Sequence, residues 1–211
     1  MNIGCGRTPT PGWLNFDNSA SVRFAKLTPV WRVLAAMNVL TPAQRSFAEF
    51  ARTGQARYAD AARRIPLPGA SVEALYASHM LEHLDRSEAA RFLAEARRVL
   101  TRGGILRLGV PDIALYVHRY LEDRDADRFV EATLLAADKP RTVAERLRTL
   151  VAGSRHHHWM YDGASLCRLV AAHGFADPRV MAAGTTRIAD PGELDLAERQ
   201  GDTVYVEASN P

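Results

Sequence analysis

The sequence predicts an α/β fold, a mostly parallel sheet flanked by helices. Three observations carry this. Short apolar runs ending on glycine or a polar residue recur through the 211 residues, helix-period segments alternate with them, and Gly, Pro and Asx residues punctuate the joins. Strands that alternate with helices build a parallel sheet, because each parallel crossover needs a helix-length connection.

Each element has its own signal. "MNI" leads into a glycine turn, "GCG", and "WLNFD" is a short strand closing on Asp17. Residues from about Val22 to Gly54 read as helical, with Trp31, Leu34, Met37 and Val39 forming an apolar surface. "ARYAD" is a strand closing on Asp60, and a Pro/Gly turn then precedes a strand from Val72 to Ser78. "SEAARFLAEARRVL" is an amphipathic helix, since Phe92, Leu93, Ala96, Val99 and Leu100 recur at three and four residues. "TRGG" is expected to stop it as a glycine C-cap. "ILRLGVPD" is a strand ended by Pro111, followed by helical stretches at Ile113 to Leu121 and about Ala126 to Val151. "DGASLCRLVAAHGF" is a helix with Asp162 or Ser165 near its start and Gly174 at its end, and "TVYVEA" is the last strand.

The length suits a single domain over residues 1–211, with helical insertions at about 22–54 and 126–151. With 27 basic against 24 acidic residues and no basic run interleaved with aromatics, a nucleic-acid partner is not expected. The most apolar long stretch is broken by Lys26, Pro29 and Arg32, so no membrane span is expected. Two cysteines make no disulfide framework, and the N-terminus lacks a basic region followed by an apolar run. A cytoplasmic location is the expectation; oligomeric state is open.

"ASHMLEHLD" carries the pattern H-x-x-E-H, the zinc motif of inverted zincin peptidases. That chemistry needs both histidines on one helix face. Here "VEALYAS", rich in β-branched and aromatic residues, runs up to the motif, so His79 falls at a strand end and His83 in the turn after it. A zinc peptidase is therefore a remote alternative. No metal ligand is assigned, and whether a divalent ion binds near Glu82 and His83 stays open.

The order of strand ends is more telling. A glycine turn is followed by an acid, a second acid, and a small-polar strand end before "LEHL". In open α/β sheets ligands bind outside the carboxyl ends of the strands. With "NIGCG", Asp17, "YAD", "ASHMLEHL", "RRVLTRGGILRLGVPD" and "LVAAHGF" in that order, the chain resembles the class I S-adenosylmethionine-dependent methyltransferases. "GCGRTPTPGWLNFD" and "HHWMYD" are most similar to a small bacterial subgroup reading G-C-G…P-G-W-x-N-x-D early and H-x-W-M-Y-D late. The resemblance covers nearly the whole chain. It implies a Rossmann-like sheet with an antiparallel last strand, and S-adenosylmethionine as cofactor. Two departures stand out. Only Met1 to Ile3 precede the glycines, so either the fold tolerates a truncated first strand or the chain begins later than its relatives. Asn2 also stands where the usual acid would be.

The resemblance implies a cofactor site at Ile3, Gly4, Cys5, Gly6, Asp17, Asp60, Ala61, Ser78 and His79. Glycines let the backbone approach the methionine portion, Asp17 can accept two hydrogen bonds from a ribose diol, and Asp60 can accept from the adenine amino group. A nicotinamide site is disfavoured, because "RTPTPGW" replaces the third glycine and the helix start that a pyrophosphate needs. Candidate catalytic residues are His79, Asp112, His157 and His158, near the acceptor of the methyl group. Glu82 and His83 read as helix-capping groups or partners of Arg97 or Arg98, and Trp159 and Met160 as core. Asp112 also reads as a helix N-cap, and Cys5 as a turn residue. The expected activity is methyl transfer to a small-molecule or carbohydrate-like acceptor, at a hydroxyl. The alternative is a non-catalytic binding module on the same fold.

Overall fold

The structure is a computed structural model that describes residues 1–19, 22–23, 49–50, 52–135 and 156–211. The strands are β1 (Asn2–Ile3), β2 (Asn15–Asp17), β3 (Arg57–Tyr58), β4 (Val72–Ser78), β5 (Leu100–Pro111), β6 (Ala176–Met181) and β7 (Thr203–Ser209). The helices are α1 (Arg86–Val99), α2 (Ile113–Asp123), α3 (Ala126–Thr133) and α4 (Gly163–Ala172), with a 3-10 turn at Leu81–His83. Sheet order is β3-β2-β1-β4-β5-β7-β6. The first five strands pair in parallel, and β7 runs antiparallel to both β5 and β6. This is the Rossmann-like sheet the sequence implied, antiparallel last strand included. The order reverses at β1, so β1 and β4 flank a topological switch point where a ligand crevice forms.

Alternation along the strands separates two faces. Leu75, Ala77, Leu106, Leu108, Val206 and Ala208 join Phe92, Leu93 and Ala96 of α1 and Leu166 and Val170 of α4 in one buried cluster. Each leucine, valine or phenylalanine there contributes about 1.5–3 kcal/mol when fully buried. α1 starts where Asp85 closes a capping box with Glu88, which satisfies donors otherwise orphaned at a helix start. The opposite face carries Tyr76, which packs with Ile188 and Leu194 of the 182–199 segment. That segment is pinned by a wholly buried ion pair, Arg107 Nη1 to Glu207 Oε1 at 2.7 Å. Arg107 also donates to the carbonyls of Thr185 and Leu196, and Glu207 accepts from Thr186 Oγ1 and from the Arg187 N–H.

Several sequence expectations change here. "TRGG" is no C-cap: α1 stops at Val99, and Leu100, already extended, opens β5, so both glycines lie inside the strand. A Cβ on Gly104 would sit 2.9 Å from the Thr101 carbonyl, which is why a glycine stands within that strand. β6 is an additional strand. Its "ADPRVM" has no alternation, and all six residues are half-buried or exposed at the sheet edge, where Pro178 is tolerated. β1 is two residues long and pairs with both β2 and β4. The expected helix at 22–54 and that at 126–151 beyond residue 135 lie almost wholly outside the described residues. Among the described residues, no helix is long and apolar enough to cross a membrane.

Candidate functional site

The carboxyl ends of β1, β2 and β4 converge through backbone hydrogen bonds. The N–H groups of Gly4 and Cys5 both donate to the Phe16 carbonyl, at 2.8 and 3.1 Å. The turn that follows has Gly4 at φ +70° and Gly6 at φ +51°, where a side chain is strained. Asp17, nearly buried at the end of β2, accepts from Gly6 N–H at 3.0 Å and from Ser19 N–H at 2.8 Å. Its carboxylate thus fastens the glycine turn from below, and each oxygen keeps a second lone pair for another donor. Ala59 N–H donates to the Asp17 carbonyl, which brings Asp60 and Ala61 alongside. Asp60 is half-buried beyond the end of β3 and, among the described residues, has only the exposed Arg63 as ion-pair partner, at 3.4 Å.

Asn2 does not replace the missing acid. Its Nδ2 donates to Thr10 Oγ1 at 3.1 Å and so anchors the "RTPTPGW" loop. Cys5 is buried, and burial and the nearby Asp17 push its thiol up to about 12. It is no nucleophile.

A second group gathers at the end of β4. His79 has φ +49°, a left-handed conformation that costs a non-glycine residue energy and marks a position where the backbone is constrained. Its N–H donates to the Gly109 carbonyl, and its ring is held between Thr203 Oγ1, 2.9 Å from Nε2, and Glu82 Oε1, 3.4 Å from Nδ1. The 3-10 turn carries Glu82 inward, and its side chain is 1% exposed. Among the described residues, neither carboxylate oxygen of Glu82 has a hydrogen-bond partner. His83 Nε2 lies 4.0 Å from Glu82 Oε1, and His83 Nδ1 lies 3.0 Å from the His156 carbonyl. The His156–Tyr161 strap lies over this turn: the N–H groups of His158 and Trp159 donate to the Glu82 carbonyl, and Ile113 N–H donates to Tyr161. The strap's own His157 is buried, its ring centroid 5.1 Å from that of His83. Burial lowers the His157 pKa below the ordinary histidine range.

The expected site residues divide accordingly. Ile3, Gly4, Cys5, Gly6, Asp17, Asp60 and Ala61 form one group at the ends of β1 to β3, and Ser78 and His79 close it at the end of β4. The two groups are neighbours because Ile3 pairs with Ala77 of β4, and a Cβ built on Gly4 would lie 3.0 Å from the Met80 side chain. Of the four candidate catalytic residues, His79 and His157 meet around Glu82. Asp112 caps α2, its Oδ1 accepting from Ala114 N–H at 3.0 Å. His158 is exposed. Glu82 neither caps α1, which Asp85 does, nor pairs with Arg97 or Arg98. Trp159 is not core: it is 44% exposed, with Arg86 4.9 Å over its ring. Met160 is half-buried, its sulfur 3.2 Å from His157 Nδ1. Nor do His79 and His83 share a helical face, so the peptidase geometry is absent.

A family profile described as "Methyltransferase domain" matches residues 1–108, just over half of the chain and all of the glycine turn, both acids and β4. The chain belongs to this family. Two solved structures share the fold across nearly the whole chain. A SAM-dependent methyltransferase from Thermotoga maritima is 16% identical, with a TM-score of 0.50, covering 100% of this chain and 80% of that one. Another from Methanosarcina mazei is 18% identical, also with a TM-score of 0.50, covering 99% and 90%. No curated protein matches significantly.

The family implies S-adenosylmethionine, and the residues of this methyltransferase domain fit it. A Cβ built on Gly6 meets nothing nearer than the Gly4 carbonyl at 4.0 Å, so the turn leaves space on its outer side. Asp17 and Asp60 present acceptors at adjacent strand ends, where a nucleoside can span them.

Proposed function

We propose that this chain is an S-adenosylmethionine-dependent methyltransferase acting on a small-molecule or carbohydrate-like acceptor at a hydroxyl. The observation that carries the reading is the convergence at one sheet edge of the glycine turn, two acceptor carboxylates and a buried histidine cluster. In this reading Gly4, Cys5 and Gly6 border the methionine portion of the cofactor. Asp17 accepts from the ribose diol, Asp60 and Ala61 hold the adenine, and Ile3, Ser78 and His79 supply backbone beside the sulfonium. The cofactor supplies the electrophilic methyl group; the protein supplies position and exclusion of water. His79 takes the acceptor proton at Nε2, where the acceptor hydroxyl displaces the Thr203 hydroxyl that faces it, while Nδ1 lies 3.4 Å from Glu82 Oε1. His157, carried by the strap, completes the acceptor side, with Asp112 and His158 at the rim.

The test is a screen for S-adenosylhomocysteine release with hydroxylated small molecules and saccharides, beside amines as a contrast class. Turnover with a hydroxyl acceptor that falls at least about tenfold in His79→Ala supports the reading, the scale of a lost general base or more. Cofactor binding without turnover on any acceptor would favour the non-catalytic binding module.

A further inference from the structure

Glu82 is a buried carboxylate with unsatisfied oxygens. A carboxylate taken out of water is stable only when it is paired, hydrogen-bonded or bound to a metal. Glu82 is 1% exposed, both of its oxygens lack hydrogen-bond partners, and among the described residues no lysine or arginine forms an ion pair with it. What faces it instead is imidazole. Glu82, His83 and His157 each offer one ligand atom, and these atoms all lie within 4.8 Å of one another. Zinc bonds of about 2.0–2.1 Å place tetrahedral ligand atoms about 3.3 Å apart, so small side-chain rotations close the set.

We propose that Glu82, His83 and His157 bind a divalent first-row transition-metal ion of the zinc class. The detail at His83 supports this. Its Nδ1 faces the His156 carbonyl at 3.0 Å, where it donates as N–H and leaves Nε2 with a bare lone pair toward Glu82. A ring nitrogen donating to a backbone carbonyl while the other turns to the ion is the usual outer arrangement of a ligating histidine. Two imidazoles and one carboxylate select zinc, iron, cobalt or nickel over magnesium or calcium, which prefer oxygen sets. Three protein ligands leave a coordination position open, and the half-buried His83 side chain provides the way in. The His156–Tyr161 strap brings His157 in from a part of the chain distant from the H-x-x-E-H motif. The ion's use, which rests on the methyltransferase reading, is to hold an acceptor oxygen beside His79; the site itself does not depend on that reading.

The experiment uses the full chain stripped with a chelator, then titrated with Zn²⁺ by calorimetry and with Co²⁺ by visible absorption. The proposal expects one tight equivalent and a Co²⁺ spectrum of low coordination number bearing nitrogen ligands. Glu82→Gln and His157→Ala should each weaken binding by roughly a hundredfold or more, beyond the ten- to hundredfold typical of changes outside the ligand set. The exposed His118→Ala and His158→Ala should leave the tight equivalent intact. Absence of a tight equivalent in the wild type, or its retention in Glu82→Gln, would overturn the proposal, as would its loss in His158→Ala. The wild-type Co²⁺ spectrum decides the matter even if a variant fails to fold. S-adenosylhomocysteine titration of the same samples reads the cofactor site separately, so either result can fail alone.

Discussion

Glu207 and Glu82 are both buried glutamates, and the fold treats them in opposite ways. Glu207 sits mid-sheet, bonded to Arg107, Thr186 and the Arg187 N–H, and it fastens the 182–199 segment to the sheet. Glu82 sits at a strand end with no hydrogen bond to either oxygen and histidines on three sides. A buried charge with every partner in place is a structural device. One that is kept buried without partners is held for something that binds there. Burial alone would rank the two alike; the partner inventory separates them.

Substitutions at carboxylates of graded satisfaction can break this comparison. The largest effect belongs to Glu207→Ala, which strands a wholly buried Arg107 and should cost about 3–5 kcal/mol in urea unfolding. An apolar pair, Arg107→Met with Glu207→Leu, should recover much of that loss, since removing both charges avoids the stranded one. An additive double variant would show that the two groups act separately. A middle effect belongs to Asp162, half-buried, which caps α4 by accepting from the Ser165 N–H. Asp162→Ala should cost about 1 kcal/mol. That hydrogen bond holds the Asp162 carboxyl below its ordinary value. Its contribution is therefore complete above the unfolded value of about 3.9 and is lost as pH falls through the lower folded value. Unfolding of the wild type and Asp162→Ala should converge at low pH. The smallest effect belongs to Glu82→Gln. In chelator-treated protein it should change stability by less than about 1 kcal/mol or raise it, because no hydrogen bond is lost and a buried charge is removed. A loss like that at Glu207 would mean Glu82 is structural after all.

Much of the fold was legible because its signals are local. β4 runs from Val72 to Ser78 as read, α1 follows its three-and-four spacing, and α4 starts at Asp162 and ends before Gly174. What failed depended on distant partners. "TRGG" has the composition of a helix stop, but pairing of Leu100 with Val72 of β4 draws the chain into a strand one residue earlier. β6 has no alternation, since its pairing with β7 holds it without burying a face. For the site, the glycine turn and both acids came from ordered motifs, whereas Glu82 was misread because its surroundings come from the strap. One local hint existed: Leu81 and Leu84 flank it, both buried, and a charged residue between core leucines in a tight turn is carried inward. Nothing local placed His157 beside it.

Calorimetric titration with S-adenosylhomocysteine is the first test of the proposed cofactor site at the carboxyl ends of β1, β2 and β4. Saturable one-to-one binding is expected, weakened by about a hundredfold in Asp17→Ala, which would remove the two proposed charge-assisted hydrogen bonds to the ribose and loosens the Gly6 and Ser19 anchors. Glu82→Gln should leave that affinity within about threefold, a change smaller than one ordinary hydrogen bond. No binding by the folded wild type, or binding that Asp17→Ala leaves unchanged, would contradict it.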